Sequence, residues 1–473
     1  MMAFTDRFAD RVFGAAARRS YATRCASALV CLLAGTATAI ASCSGAGTYI
    51  RDTEIERLLA DYSRPIFLAA GLGDGRVRMR IVKASGFNAF VLDGRNVFIN
   101  TGTLMISETP GEVIGVIAHE AGHIAGGHLA GLRTKIRQDQ TRLLLMRILG
   151  IGALAAGAAA GNDTTRQAAG TLGRVLSSSD PIIRNSILSY RRVQESAADQ
   201  AGISYLTASK QSARGMIISF ERLAENELFL SRGANSYARS HPLARTRIVQ
   251  MRRAAQQSPY WSKPTSRRLQ MRHDLMRAKL SGYLENRATV LNRFGRNNQT
   301  LPARYARAIA HGCAGDMRSF LPEINALIER SPRNPYFQEV KADMLFRENR
   351  LREAIAPQEA AIRLSGGSLP MKVRLAQALW SRKSSKDVRR IIKMLEPLKP
   401  ILRRDRIISG YGVLAKAYDA VGRRGDAELM TAIASMLVGN RRRAQTFARR
   451  AKAKFKRSDP RWVQADDIVS FKK

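Results

Sequence analysis

Two imidazoles and a carboxylate stand together in the stretch His119-Glu120-Ala121-Gly122-His123. On a helix, residues four apart lie about 40° apart around the axis, so His119 and His123 can bind one metal ion while Glu120 beside them reaches a metal-bound water. A five-residue pattern with two free positions also arises by chance, so the flanks decide. Val113 to Ala118 leads in and Ile124 to Gly127 leads out, an apolar, small-residue helix suited to burial. Two histidines and a carboxylate buried there are costly without a shared partner, which predicts a bound metal ion and metal-assisted hydrolysis.

A catalytic zinc site usually has three protein ligands and an open position. The chain holds only six histidines, so candidates are few. His128, five residues past His123, would be rotated about 140° away on a continuing helix. It reads as a neighbour of the site or a structural residue, not as a ligand. Glu195 is the better third ligand, because Glu195-Ser196-Ala197-Ala198-Asp199 sets two carboxylates four apart on one face of a separate helix. The small residues between them permit close helix packing, and Asp199 can accept a hydrogen bond from a ligand histidine and fix its tautomer. For both carboxylates a solvated helix face is the plain alternative.

The elements that must position these residues are legible from periodicity. Asp52 to Ala70 carries Ile55, Leu58, Leu59, Tyr62, Ile66 and Phe67 at helical spacing, and Val77 to Val82 alternates as a strand. Asn88 to Val91, the turn Asp93-Gly94 and Asn96 to Asn100 predict a hairpin. Thr109-Pro110-Gly111-Glu112 predicts the start of the helix bearing His119, with Thr at the cap, Pro at the first helical position and Glu three residues after the Thr. A further helix from about Ile183 carries Glu195 and Asp199, and Ser240 to Ile248 reads as a loop entering a helix. The apolar run 143–161 reads as a buried helix, with a membrane span or an interfacial flap as alternatives; Arg147 and the many Gly and Ala disfavour the span. Ser258 to Pro264 is the expected domain boundary.

Beyond that boundary the pattern is all helical. From Ala415, the residues Tyr418, Ala427 and Ala434 follow at offsets 3, 12 and 19, the small-residue spacing of a tetratricopeptide hairpin, and Ala342, Ala354 and Ala361 repeat the last two offsets. Other copies are expected near Ala308 to Pro332 and Leu369 to Pro400, with an irregular helical bundle as the alternative. The fold class expected is α+β, mainly α: a metal-dependent hydrolase domain with a small sheet over 43–262, then a helical solenoid over 268–473.

Lys and Arg number 78 against 38 Asp and Glu, a formal charge of +40, and residues 441–457 hold nine of these cations and no acid. Such a balance favours anionic partners, an anionic membrane surface among them, although a solvated face would look the same. No Gly-rich phosphate cradle with a following Lys is present. Residues 1–42 read as an export signal, with Arg18, Arg19 and Arg24 before the uncharged run Cys25 to Ser42. Ile40-Ala41-Ser42-Cys43 is similar to a lipobox, which would leave a lipid on Cys43; ordinary cleavage and a retained anchor are the alternatives. An exported chain rarely meets nucleic acid, which disfavours that partner.

His119-Glu120-Ala121-Gly122-His123, then Glu195 and Asp199 on a second helix, then His241-Pro242 with Arg247 six residues after the His, resemble the gluzincin metallopeptidases that include the HtpX membrane proteases, the CAAX prenyl proteases and the BepA-like periplasmic enzymes. The export signal and the repeat-like tail point to the BepA-like branch. The resemblance covers nearly the whole chain after the signal, with specific motifs in the first half and soft ones in the tail. It implies one Zn2+ held by His119, His123 and Glu195, with Glu120 as catalytic base. It implies a fourth, inhibitory ligand or a transition-state contact for His241, and an oxyanion contact for Arg247. Asn88, Ala89 and Phe90 resemble the edge strand that such enzymes pair with substrate backbone. The activity implied is an exported zinc endopeptidase of the periplasm that takes unfolded or misassembled envelope proteins in outer-membrane quality control, its repeats touching the assembly machinery. The alternative is a chaperone or scaffold acting through the repeats, with a largely closed site.

Overall fold

A computed structural model describes residues 49–141, 179–229, 241 and 245–471. The export segment 1–42, Cys43, the apolar run 143–161 and the polar stretch 162–178 lie outside the described residues. Among those described, two compact units form, split between Arg307 and Ala308. The class is α+β and mainly helical, as expected, and no described helix is long and apolar enough to cross a membrane.

In the first unit, helix α1 (Thr53–Ala69) starts where Asp52 accepts a hydrogen bond from the Ile55 N–H at 3.0 Å. Its buried stripe is the one the spacing predicts: Ile55, Leu58, Leu59, Tyr62, Ile66 and Phe67. The sheet has the order β1 (Tyr49–Ile50), β2 (Arg78–Val82), β4 (Asn96–Asn100), β3 (Ala89–Val91). The β2–β4 pair is parallel and the outer pairs are antiparallel, so β3 is an edge strand. Ile81, Val97, Ile99 and Ala89 point into the core, while Phe98 and Phe90 stack on the other face with centroids 5.2 Å apart.

A short helix α2 (Thr101–Ile106) follows, which periodicity did not show. Its Thr103 hydroxyl accepts from the Asn88 N–H at 2.7 Å and donates to the Asn88 carbonyl at 2.8 Å, tying the start of β3 to it. Helix α3 (Pro110–Ala125) begins at the expected Pro, with Glu112 accepting from the Thr109 N–H at 3.1 Å. It is buried from Val113 to Gly122 between α4 (Ser179–Ala208) and α5 (Arg214–Phe229). The approach to α4 is close because Gly122 has no side chain: a Cβ there would lie 2.8 Å from the Ala198 carbonyl oxygen.

Helix α6 (Arg245–Gln256) packs on α4 and α5. Helix α7 (Arg267–Leu284), beyond the boundary expected at 258–264, packs onto α1 inside the first unit. Met276 and Leu280 join the core, and Lys279, buried, sits 2.7 Å from Asp52 and 3.1 Å from Glu54. His273 of α7 lies 3.0 Å from the Tyr62 hydroxyl and 2.9 Å from the Ser107 carbonyl, which suits a neutral ring that accepts from Tyr62 and donates to Ser107.

Burial holds His273 down at about 4, against the pull of the Ser107 carbonyl. The folded value lies below the ordinary 6.5, so the stability tied to the neutral ring is complete above pH 6.5 and is lost as pH falls through 4. At about 1.4 kcal/mol per unit this reaches about 3 kcal/mol. Urea titrations of wild type and His273→Leu at stepwise lower pH should show a flatter decline for the variant; equal slopes would assign the decline to other groups.

The second unit is all helical. Pro335–Arg347 packs with Leu351–Ser365, Leu369–Trp380 with Ser385–Leu395, Ile408–Ala420 with Arg424–Leu437, and Arg441–Lys452 with Pro460–Ser470. Of the residues singled out by spacing, Ala342, Ala354, Ala361, Tyr418 and Ala427 are buried, and Ala415 and Ala434 are half-buried.

Candidate metal centre

Three elements bring the reactive residues together. Helix α3 supplies His119, Glu120 and His123, α4 supplies Glu195 and Asp199, and His241 stands shortly before α6. One ligand atom from each of His119, His123, Glu195 and His241 can be chosen so that all lie within 4.8 Å of one another. The Nε2 atoms of His119 and His123 are 3.1 Å apart, and Nδ1 of His241 is 3.3 Å from Nε2 of His119. Glu195 reaches His241 at 3.0 Å, His119 at 3.4 Å and His123 at 3.5 Å. Imidazole lone pairs do not converge on one point unless a proton or a cation lies among them.

Charge points to the cation. Glu195 and Asp199 share the Arg247 guanidinium and Glu120 lies beside His241, so with neutral imidazoles and all three carboxylates ionised this group of described residues holds more negative than positive charge. A divalent ion balances it. Without one, burial opposes a charged His119, but Asp199 and Glu195 outweigh burial and push the ring up to about 10. Burial and then the His119 charge push His123 down to about 2. Burial acts to raise Glu195, yet hydrogen bonds to His119 and His241 hold its carboxyl well below the usual carboxylate range. Burial raises Glu120, whose Oε1 has no hydrogen-bond partner among the described residues. That pattern is a cluster in which one proton stands where an ion could.

Behind His119, Nδ1 lies 2.9 Å from Oδ1 of Asp199, within ion-pair distance. Phe220 of α5, which sequence reasoning did not find, packs edge-on against the His119 ring at 5.4 Å. Arg247 is placed differently from the oxyanion contact expected of it. Its Nε donates to Asp199 Oδ2 at 2.8 Å and its Nη2 to Oδ1 at 3.0 Å, and Nη2 lies 3.4 Å from Glu195. Arg247 lines a cavity behind α4, not the cleft that Glu120 faces. A guanidinium in reach of two buried carboxylates goes to them first.

The cleft, about 370 Å³, is lined by Phe90, Val91, Glu120, His123, Glu195 and His241 among others. Of the expected edge-strand residues, only Phe90 lines it. The Asn88 carbonyl accepts from the Asn100 N–H at 2.9 Å, and Phe90 pairs with Phe98 in the same ladder. Antiparallel alternation therefore turns the backbone groups of Asn88 and Phe90 toward β4 and those of Ala89 and Val91 toward the open edge. The expected strand is thus shifted by one residue, because Asn88 is already engaged by Thr103 and Asn100.

Comparison with known proteins agrees with this geometry. Residues 50–255 match peptidase family M48. The beta-barrel assembly-enhancing protease of Yersinia pestis is 24% identical over 309 residues, 63% of this chain and 60% of that protein. The protein of that name from Escherichia coli (strain K12) is 24% identical over 285 residues, 58% of this chain and 55% of that protein. The chain spans little more than half the length of these relatives. The matched segment contains every residue of the cluster, and so the chain carries a metallopeptidase domain of family M48 in residues 50–255.

Proposed function

We propose that this chain is an exported zinc endopeptidase acting on envelope proteins. The observation that carries the reading is the convergence of His119, His123, Glu195 and His241. Zinc bonds of about 2.0–2.1 Å to nitrogen and oxygen imply tetrahedral edges of about 3.3–3.4 Å. Five of the six pairs among the four residues come within 3.0 to 3.5 Å, taken through either oxygen of Glu195, and a set with one ligand atom from each lies within 4.8 Å. His119, His123 and Glu195 would hold the ion, which supplies acidification of a water molecule and polarisation of a peptide carbonyl.

The chain's own residues do the rest. Glu120, buried at the cleft wall with a raised pKa, takes a proton from the attacking water and gives it to the leaving amine. Asp199 and Arg247 hold the ligand side chains in place from behind. The open edge of β3, through Ala89 and Val91, pairs with an extended substrate backbone. His241 sits within 3.5 Å of Glu120 and 3.0 Å of Glu195, in the space a substrate carbonyl needs. His241→Ala should therefore raise casein turnover several-fold; a loss of activity would make His241 a catalytic contact.

The relatives are named for enhancing beta-barrel assembly, which supports a part in that process; outer-membrane quality control, unfolded or misassembled envelope proteins as substrates and the periplasm as compartment complete the proposed reading. The paired helices of the second unit support a tetratricopeptide-like docking domain for assembly machinery. Arg442, Arg443, Arg449 and Arg450 are exposed on its Arg441–Lys452 helix and suit an anionic membrane surface or partner. A scaffold with a closed site is the second reading, favoured by the position of His241. Metal analysis and casein cleavage separate them: about one zinc per chain, with cleavage lost on chelation and restored by zinc, supports the protease. A zinc-free protein, or one whose His241→Ala form stays inert, overturns it.

A further inference from the structure

The sequence places His128 on the far side of a continuing helix, but the helix does not continue. Helix α3 ends at Ala125, and the chain turns through Gly126 and Gly127, the latter left-handed at φ +61°, before a second helix opens at residue 128. The turn brings the His128 ring back onto His123, Nδ1 to Nδ1 at 3.0 Å, with the rings edge-on at 5.0 Å. Gly126 makes the room: a Cβ there would lie 2.4 Å from His128 Nε2. Gln194, the neighbour of Glu195, donates to the His128 carbonyl at 3.1 Å and ties the turn to the helix that supplies the third ligand.

We infer that His128 is a positioning residue for His123. The Nε2 of His123 faces the cluster, so a neutral His123 acting as ligand carries its proton on Nδ1. That N–H needs an acceptor, and the Nδ1 lone pair of His128 stands where one is required. The two ligand histidines are thus steadied from behind by different chemistry: His119 by a carboxylate that a guanidinium holds, His123 by a neutral imidazole. Partners of this kind fix the tautomer and orientation of a ligand ring, and their removal weakens metal binding by about 10- to 100-fold.

The inference rests on the zinc reading, and its test keeps the two apart. Zinc dissociation constants of the full chain are measured by chelator competition, alongside thermal melting of the metal-free forms. His128→Ala should bind zinc about 10- to 100-fold more weakly with its metal-free melting unchanged. His128→Asn, whose side-chain oxygen stands in for Nδ1, should bind close to wild type. Gly126→Ala, which pushes the ring without removing it, should weaken binding in the same direction. Tight binding by His128→Ala, or His128→Asn as weak as His128→Ala, overturns the inference and leaves the zinc reading intact. A wild type that binds no zinc overturns both.

Discussion

Glu120→Gln keeps about one zinc per chain and loses casein turnover by about 10²- to 10⁴-fold, the size of a missing general base. The substitution is nearly isosteric, and Glu120 is not among the four residues whose ligand atoms converge, so metal content should not fall. What the amide lacks is the ability to take a proton. The Glu120 carboxylate is buried, its Oε1 unpartnered among the described residues, and burial raises its pKa toward the range where proton exchange at neutral pH is efficient. The check is metal analysis and turnover on the same preparation. Activity within tenfold of wild type would sink the assignment of the base.

Arg247→Ala is expected to act on the fold and the metal together. It leaves Asp199 and Glu195 buried without their guanidinium, a loss of about 3–5 kcal/mol when one partner of a buried pair is removed. The urea midpoint should drop accordingly. Adding Asp199→Asn to Arg247→Ala removes one of the stranded charges and should recover part of the stability. A variant with wild-type melting and zinc content but a lower kcat would instead mean that Arg247 reaches the substrate, as the family resemblance implied.

The parts of the site that sequence made legible are those encoded locally. His119, Glu120 and His123 share one turn of one helix, and its start at Pro110 is signalled by residues in contact with one another. Glu195 and Asp199 were legible as a pair because helical spacing puts them on one face. Illegible features depend on the third dimension. Strand β1 is two residues long and exists only through pairing with β2. Helix α2 is too short to show a period, and nothing local says that α5 will bring Phe220 against His119. The turn at 258–264 looked like a linker, since nothing local says that Lys279 will meet Asp52 and Glu54 from far along the chain. His128 was read as a neighbour of the site or a structural residue, but its contact with His123 was illegible because a left-handed Gly127 ends the helix that the phase argument assumed; the partners of Arg247 were illegible because its choice of carboxylate over cleft is made by burial.

The close contact at Gly122 bears on which ion the centre can take. The spacing of the helices that carry the histidine pair and Glu195 is set by one backbone resting on another, at Gly122 and Ala198. Calcium, with bonds of 2.3–2.6 Å and six to eight oxygen ligands, would suit this nitrogen-rich cluster between closely packed helices poorly. Selection among cations would then draw on helix packing as well as on the ligands, through a residue that is not one of the four whose ligand atoms converge.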